Sequence, residues 1–219
     1  MARENKIMSI EQAVSNIKSG DRIMVGGFGL RGAPDAVVAE LVKTDVKDLT
    51  IISNDLASPG IGLGQLLDNG MIKACIGNYY NWNTDAIKAY HEGKIDITLI
   101  PQGTFIEAIR AAAYGIPAFY TPTAYGTELA EGHESRIFNG RGYILQEALH
   151  ADVALVKAYK ADKLGNLIFY KTARNFNPTM AMAAKYTIAL VDEIVEVGEL
   201  DPEMIQTPHI YVNAIVKGE

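Results

Sequence analysis

The residues best placed for chemistry lie in the run Ile23-Met24-Val25-Gly26-Gly27-Phe28-Gly29-Leu30-Arg31-Gly32-Ala33-Pro34. Glycine permits positive φ and carries no Cβ, so the N–H groups of Gly26 to Gly32 and the following helix N-terminus can approach an anion closely. A phosphate is the guest such a loop suggests. A tight turn packed on its neighbours is the structural alternative, and spacing alone leaves both open. The segment from Gly27 through Phe28, Gly29, Leu30 and Arg31 to Gly32 also satisfies the dinucleotide pattern G-x-G-x-x-G. Asp55 stands where a ribose-binding acid would, so an NAD(P)-binding protein is a competing reading. Other reactive types form no constellation. His91, His133, His150 and His209 lack metal-ligand spacing, and no metal site is expected. Cys75, inside an apolar run, reads as a small buried hydrophobe, and Glu107 with Arg110 reads as a pair on a helix surface.

Positioning these residues needs a strand before the loop and a helix after it. Ile23 to Val25 supplies the strand, and Asp35 to Lys43 the helix, with Pro34 in its first turn. The same alternation continues with strands at Leu49 to Ser53, Met71 to Ile76 and Ile95 to Ile100, separated by helices near residues 63–68 and 84–91. Ser9-Ile10-Glu11-Gln12 predicts a capping box for a helix reaching about Lys18. From Ile116 onward prolines and glycines loosen the pattern. Strands resume at Tyr143 to Leu149, Val153 to Val156, Leu167 to Tyr170, Thr187 to Val191 and Ile210 to Val216, with a helix from Pro178 to about Ala184. This order predicts one domain over residues 1–219: an α/β fold, three-layer α/β/α, with an open, mainly parallel sheet.

Composition narrows the partners. A chain of 219 residues with 48% apolar and 21% charged residues has the make-up of an ordinary α/β domain with a substantial core. Its net charge of −6 is spread without a basic run, so neither nucleic acid nor an anionic membrane surface is an expected partner. A single cysteine excludes an internal disulfide and a Cys-rich metal site. Met1 to Ser9 is polar and no run of roughly 18 apolar residues occurs, from which a cytoplasmic location is expected.

The paired glycines, Phe28, the spaced third glycine and Pro34 resemble the signature of the A subunits of family I coenzyme A transferases. The chain has Ser19-Gly20 where that signature opens with Asp or Asn and then Gly. Pro101-Gln102-Gly103-Thr104, Ile116-Pro117-Ala118-Phe119-Tyr120-Thr121 and Thr172-Ala173-Arg174-Asn175-Phe176-Asn177-Pro178 resemble further landmarks of those subunits, in the family's order. Glu196 to Leu200 and Thr207-Pro208 carry the likeness almost to the C-terminus. The acetate, butyrate and acetoacetate-using members, built from separate A and B subunits, are the most similar in appearance. A non-catalytic domain that senses coenzyme A is the third reading.

The resemblance implies a coenzyme A thioester as substrate, a carboxylic acid acceptor, no permanently bound cofactor, and two A with two B subunits. It places the nucleophilic glutamate on the B subunit in a Ser-Glu-Asn-Gly-like motif, which does not occur here, so this chain should be inactive alone. Its own share would be positioning: Gly26, Gly27, Phe28, Gly29, Leu30, Arg31 and Gly32 on the coenzyme side, and the Gln102 amide donating to a developing oxyanion. Helix capping is the alternative role for Gln102. Ala111-Ala112-Ala113-Tyr114-Gly115 stands where the family commonly has a small, glycine-rich stretch, and Tyr125 is a further bulky departure; together with Tyr79, Tyr80 and Trp82 of the 78–83 loop these residues either reshape an acyl pocket or pack at an interface.

Overall fold

Successive residues of a strand face opposite ways, so a run apolar at every position needs cover on both faces. Ile23 and Val25, in the strand before the glycine run, join one hydrophobic cluster, whereas Met24 between them joins another. The same split divides Ile51 from Ile52, Leu155 from Val156 and Ile215 from Val216. The computed structural model describes residues 5–218; residues 1–4, which open the polar N-terminal stretch, and residue 219 lie outside the described residues.

The chain begins with α1 (Ile10–Val14), then β1 (Arg22–Val25), α2 (Asp35–Leu41), β2 (Leu49–Ile52), α3 (Gly64–Asp68), β3 (Ile72–Gly77), α4 (Thr84–His91), β4 (Asp96–Leu99) and α5 (Gln102–Ala113). A three-stranded excursion follows: β5 (Ala118–Thr121), β6 (Ser135–Phe138) and β7 (Arg141–Glu147). The chain then returns through β8 (Ala151–Asp162), β9 (Leu167–Ile168), α6 (Asn177–Met182), β10 (Ala184–Val195) and β11 (Ala214–Lys217). The main sheet runs in the order β11-β10-β8-β1-β2-β3-β4. Among the described residues all its neighbours are parallel, and β9 is added antiparallel on β8.

Strands advance outward from β1 to β4 and then restart beside β1 at β8. Right-handed crossovers running in opposite directions put their helices on opposite faces. Accordingly α2, α3 and α4 contribute Val37, Val38, Leu41, Leu66 and Ala86 to one cluster. Helices α5 and α6 contribute Phe105, Ala108, Ile109, Met180 and Ala181 to the other. The expected α/β class with a mainly parallel sheet is the fold observed.

Local differences from the expectation have local causes. The capping box forms, with Ser9 Oγ accepting from Gln12 N–H at 3.3 Å and Gln12 Oε1 accepting from Ser9 N–H at 3.1 Å. The helix it starts ends at Val14, because the Ser15 and Asn16 side chains turn back to the Gln12 carbonyl. Pro34 stands at the N-cap of α2 instead of inside its first turn. The last strand starts at Ala214, since His209–Tyr211 makes a 3-10 turn. Among the described residues no helix is long and apolar enough to cross a membrane.

Candidate active site

In an open parallel sheet, ligands bind beyond the carboxyl ends of the strands, near the point where strand order reverses. Here that point lies between β1 and β8. The loops leaving β1, β2, β3 and β4 carry, respectively, the glycine run, Asn54 and Asp55, the 78–83 aromatic segment, and Pro101-Gln102.

The glycine loop is held from within. Phe28 and Arg31 exchange backbone hydrogen bonds at 3.0 and 3.1 Å, forming a tight hairpin whose first central residue, Gly29, has φ +55°. Asn175 Oδ1 accepts from Gly27 N–H at 3.1 Å, and its Nδ2 donates to the Arg31 carbonyl at 2.8 Å. Asn177, fully buried, donates to the Gly32 carbonyl at 2.9 Å and accepts from Lys157 N–H at 2.9 Å. Gly26 is fixed by this arrangement: a Cβ there would lie 1.9 Å from Asn177 Oδ1.

The open phosphate cradle suggested by spacing is therefore not what the loop presents. The N–H groups of Gly26, Gly27, Phe28, Gly29 and Arg31 all donate inside the chain; only those of Leu30 and Gly32 have no hydrogen bond among the described residues. Asp55, which is 5% exposed, takes the place an anion would occupy. Its Oδ2 accepts from Gly29 N–H at 2.9 Å and from Asn54 Nδ2 at 2.7 Å, and its Oδ1 accepts from Ala57 N–H at 2.8 Å. An acid so committed is not free for a ribose, which removes the residue that supported the dinucleotide reading.

Gln102 is the first residue of α5, and no side chain caps that helix. Its Nε2 instead donates to Asn54 Oδ1 at 2.8 Å. Gln102, Asn54, Asp55 and Gly29 thus form one hydrogen-bonded chain, which brings together the two features singled out in the sequence. One Gln102 N–H is used by Asn54, which leaves the second free to donate.

Beside this chain lies a cavity of about 400 Å³ walled by Phe28, Tyr79 and Trp82, with the carboxamides of Asn54, Asn78 and Gln102 and the ring of Pro101 completing the lining. Tyr79 and Trp82 meet edge to face, with ring centroids 5.2 Å apart. Tyr80 points elsewhere: it is 3% exposed, and burial drives its phenol well above its ordinary pKa, with Cys75 and Asp55 adding to the effect. Tyr114 ends α5, a helix of 12 residues and therefore about 18 Å long, so it stands far from Gln102. Tyr125 covers Gly142 of β7, where a Cβ would meet its ring at 2.0 Å. Of the five aromatic residues considered for an acyl pocket, Tyr79 and Trp82 face this cavity, whereas Tyr80, Tyr114 and Tyr125 do not line it. Cys75 is fully buried, and Glu107 and Arg110 are paired on α5, as read from the sequence.

Asn54 and Asn78 escaped sequence reasoning. Their only signal was an excess of amides in the turns after β2 and β3, and their meeting depends on two loops that the sheet brings side by side. The backbone does this directly: Asn78 and Tyr79 N–H groups donate to the Asn54 carbonyl at 3.3 and 3.0 Å.

The open α/β sheet thus carries a cleft of carboxamides and aromatic rings at its carboxyl edge. The chain belongs to the coenzyme A transferase family, whose model matches residues 7–218. It is 50% identical over 216 residues to the A subunit of succinyl-CoA:3-ketoacid coenzyme A transferase from Helicobacter pylori, covering 98% of this chain and 93% of that one. It is 49% identical over 210 residues to the A subunit of 3-oxoadipate CoA-transferase from Pseudomonas putida, covering 95% and 91%. Among solved structures, the glutaconate coenzyme A-transferase of Acidaminococcus fermentans superposes with a TM-score of 0.87 at 25% identity, covering 97% of this chain and 75% of that one.

Proposed function

We propose that this chain is the A subunit of a two-component enzyme, with two copies of each component, that moves coenzyme A between a short-chain acyl-CoA and a carboxylic acid. Acetyl, butyryl, acetoacetyl and succinyl groups are the candidate acyl class. The observation that carries the reading is the Gln102–Asn54–Asp55–Gly29 chain beside an aromatic cavity, within a fold whose relatives are named as A subunits. No permanently bound cofactor is needed. The thioester itself supplies the reactive carbonyl.

A glutamate carboxylate from the partner B subunit makes the attack on the thioester carbonyl, and coenzyme A leaves as the thiolate, giving an acyl–glutamyl anhydride. The thiolate then attacks the glutamyl carbonyl and releases the first acid, leaving glutamyl-CoA. A second acid reverses the sequence. Each attack places negative charge on a carbonyl oxygen. The free N–H of Gln102 stabilises that oxygen, and Asn54, itself tied to the Asp55 carboxylate, keeps the amide facing the right way. Phe28 and its loop, Gly26 to Gly32, border the thioester end through side chains and shape, since most of their N–H groups are already used. A cytoplasmic location fits a substrate made there.

Co-expression with a neighbouring reading frame that encodes Ser-Glu-Asn-Gly tests the assignment. The expected outcome is a complex with the mass of two A and two B subunits, active on a panel of short acyl-CoA donors, and no activity from this chain alone. Full activity of the purified chain would refute both the partner and the placement of the glutamate.

A further inference from the structure

Asn78 carries a carboxamide whose Nδ2 and Oδ1 are both shielded from solvent and both without a hydrogen-bond partner. It is the only side chain among the described residues with two such atoms; the others, Tyr80, Thr104 and Thr207, each leave a single hydroxyl. An amide left in this state costs about 1–3 kcal/mol per group, a cost that a bound group with matching donors and acceptors repays. Asn78 lines the cavity shared by Gln102 and Asn54, and its backbone is tied to the Asn54 carbonyl.

The rest of the lining says what kind of group can repay it. The walls are three aromatic rings, a proline and three neutral carboxamides, and no basic side chain among the described residues lines the cavity. A carboxylate entering such a place from this side gives up its hydration without meeting a cation, which is costly. A keto or hydroxyl oxygen has a small hydration cost and takes a hydrogen bond from an amide readily. Gln102 and Asn78 line the same cavity, which places a second amide within the site where the thioester carbonyl meets Gln102.

Resting on the transferase reading above, we propose that Asn78 is the specificity residue of the acyl site, and that its amide donates to a neutral oxygen on the acyl chain beyond the thioester carbonyl. The substrates selected are 3-oxoacyl or 3-hydroxyacyl thioesters over unsubstituted ones. The amide turns out from behind its neighbours to reach that oxygen, and the hydrogen bonds it gains drive the turn. A 3-hydroxyl can use both atoms, accepting from Nδ2 and donating to Oδ1.

The test uses the complex of A and B subunits, with acetate as the common acceptor and acetoacetyl-CoA, 3-hydroxybutyryl-CoA, butyryl-CoA and succinyl-CoA as donors. Activity of the unaltered complex with any donor supports the transferase reading, and inactivity with all four overturns that reading and this inference together. Given an active complex, Asn78→Leu is expected to lower kcat/KM for acetoacetyl-CoA by about 10- to 100-fold relative to butyryl-CoA, because a polar site then loses its donor. Asn78→Ser, which keeps a short donor, is expected to fall between the two and stands in if the leucine variant does not assemble. An equal loss on every donor would mean that Asn78 serves structure or the interface between the two kinds of subunit, and would overturn the inference. So would an unchanged donor ratio, an unaltered complex that prefers butyryl-CoA, or a loss confined to succinyl-CoA, which would make Asn78 a reader of carboxylates.

Discussion

Gln102 separates two roles that a sequence cannot. It sits at the start of a helix, yet its side chain bonds to Asn54 and caps nothing. Gln102→Ala should therefore lower turnover about 10²- to 10³-fold, leave acyl-CoA affinity nearly intact and hardly move the melting temperature. A drop in melting temperature with near-normal turnover would make the residue structural. At this scale the sequence disclosed what is local. Gln102 follows a strand, and the glycines cluster in one run, so both could be singled out. Asp55 was found by its spacing, but as a ligand-binding acid; its real work is to hold Gly29, Ala57 and Asn54, which no spacing rule announces. The Asn54–Asn78 juxtaposition was illegible because it joins the loops that follow two different strands, β2 and β3.

At the scale of elements, the glycines of one loop should not respond alike. A methyl at Gly26 would lie inside Asn177, 1.9 Å from Oδ1 and 2.6 Å from Cγ, whereas at Gly29 the nearest atom is Trp82 Cζ3 at 3.5 Å. Gly29 is constrained by its φ of +55° alone. Gly26→Ala is expected to cost about 2–4 kcal/mol and Gly29→Ala about 1 kcal/mol, read from denaturant midpoints. The reverse order would contradict the packing described. The parallel strands β1 to β4 were legible because β1 and β2 carry unbroken apolar stretches, β3 is mostly apolar and β4 alternates apolar with polar residues, each set between turn residues. Strands β8 and β10 extend well past the expected Val153 to Val156 and Thr187 to Val191. Their outer halves are charged, and the strands pair Lys157 with Asp192, Lys160 with Glu193 and, just beyond, Lys163 with Glu196. Such a ladder reads as loop when each strand is viewed alone. Strand β6 is exposed at all four positions, so no apolar pattern marks it, and β5 is only four residues long and mostly half-buried; β7, with two buried residues, could be recognised.

The whole molecule carries an alkaline weakness in its core. Burial pushes the Cys75 thiol from an ordinary value of 9.0 up to about 12, and raises the Tyr80 phenol as well. Above pH 9 the unfolded chain gives up a thiol proton that the folded chain keeps, so stability must fall as pH rises. The slope for Cys75 is about 1.4 kcal/mol per pH unit between pH 9 and 12, with Tyr80 adding to it above pH 10. Unfolding midpoints measured from pH 7 to 11 should decline, and Cys75→Ala should flatten the decline just above pH 9. An identical slope in that variant would show that other groups govern it. The charge balance and the alternation of strands and helices up to residue 113 were open to inspection in the sequence; this liability was not, because it depends on which polar atoms the two faces of the sheet finally cover.

The clamp on the glycine loop also sets an order in time. Asn175 and Asn177 lie 148 and 145 residues beyond the groups they hold, Gly27 and Gly32. At about 5–20 residues per second of synthesis, the loop waits roughly 7–30 s for its fasteners to be made. Strands β1 to β4 can pair during that interval, because their contacts are between neighbours in the chain. The candidate active site is thus finished late, by a segment translated after most of the fold, and a nascent chain cut short before residue 175 would keep much of its sheet while lacking the fasteners that shape its glycine loop.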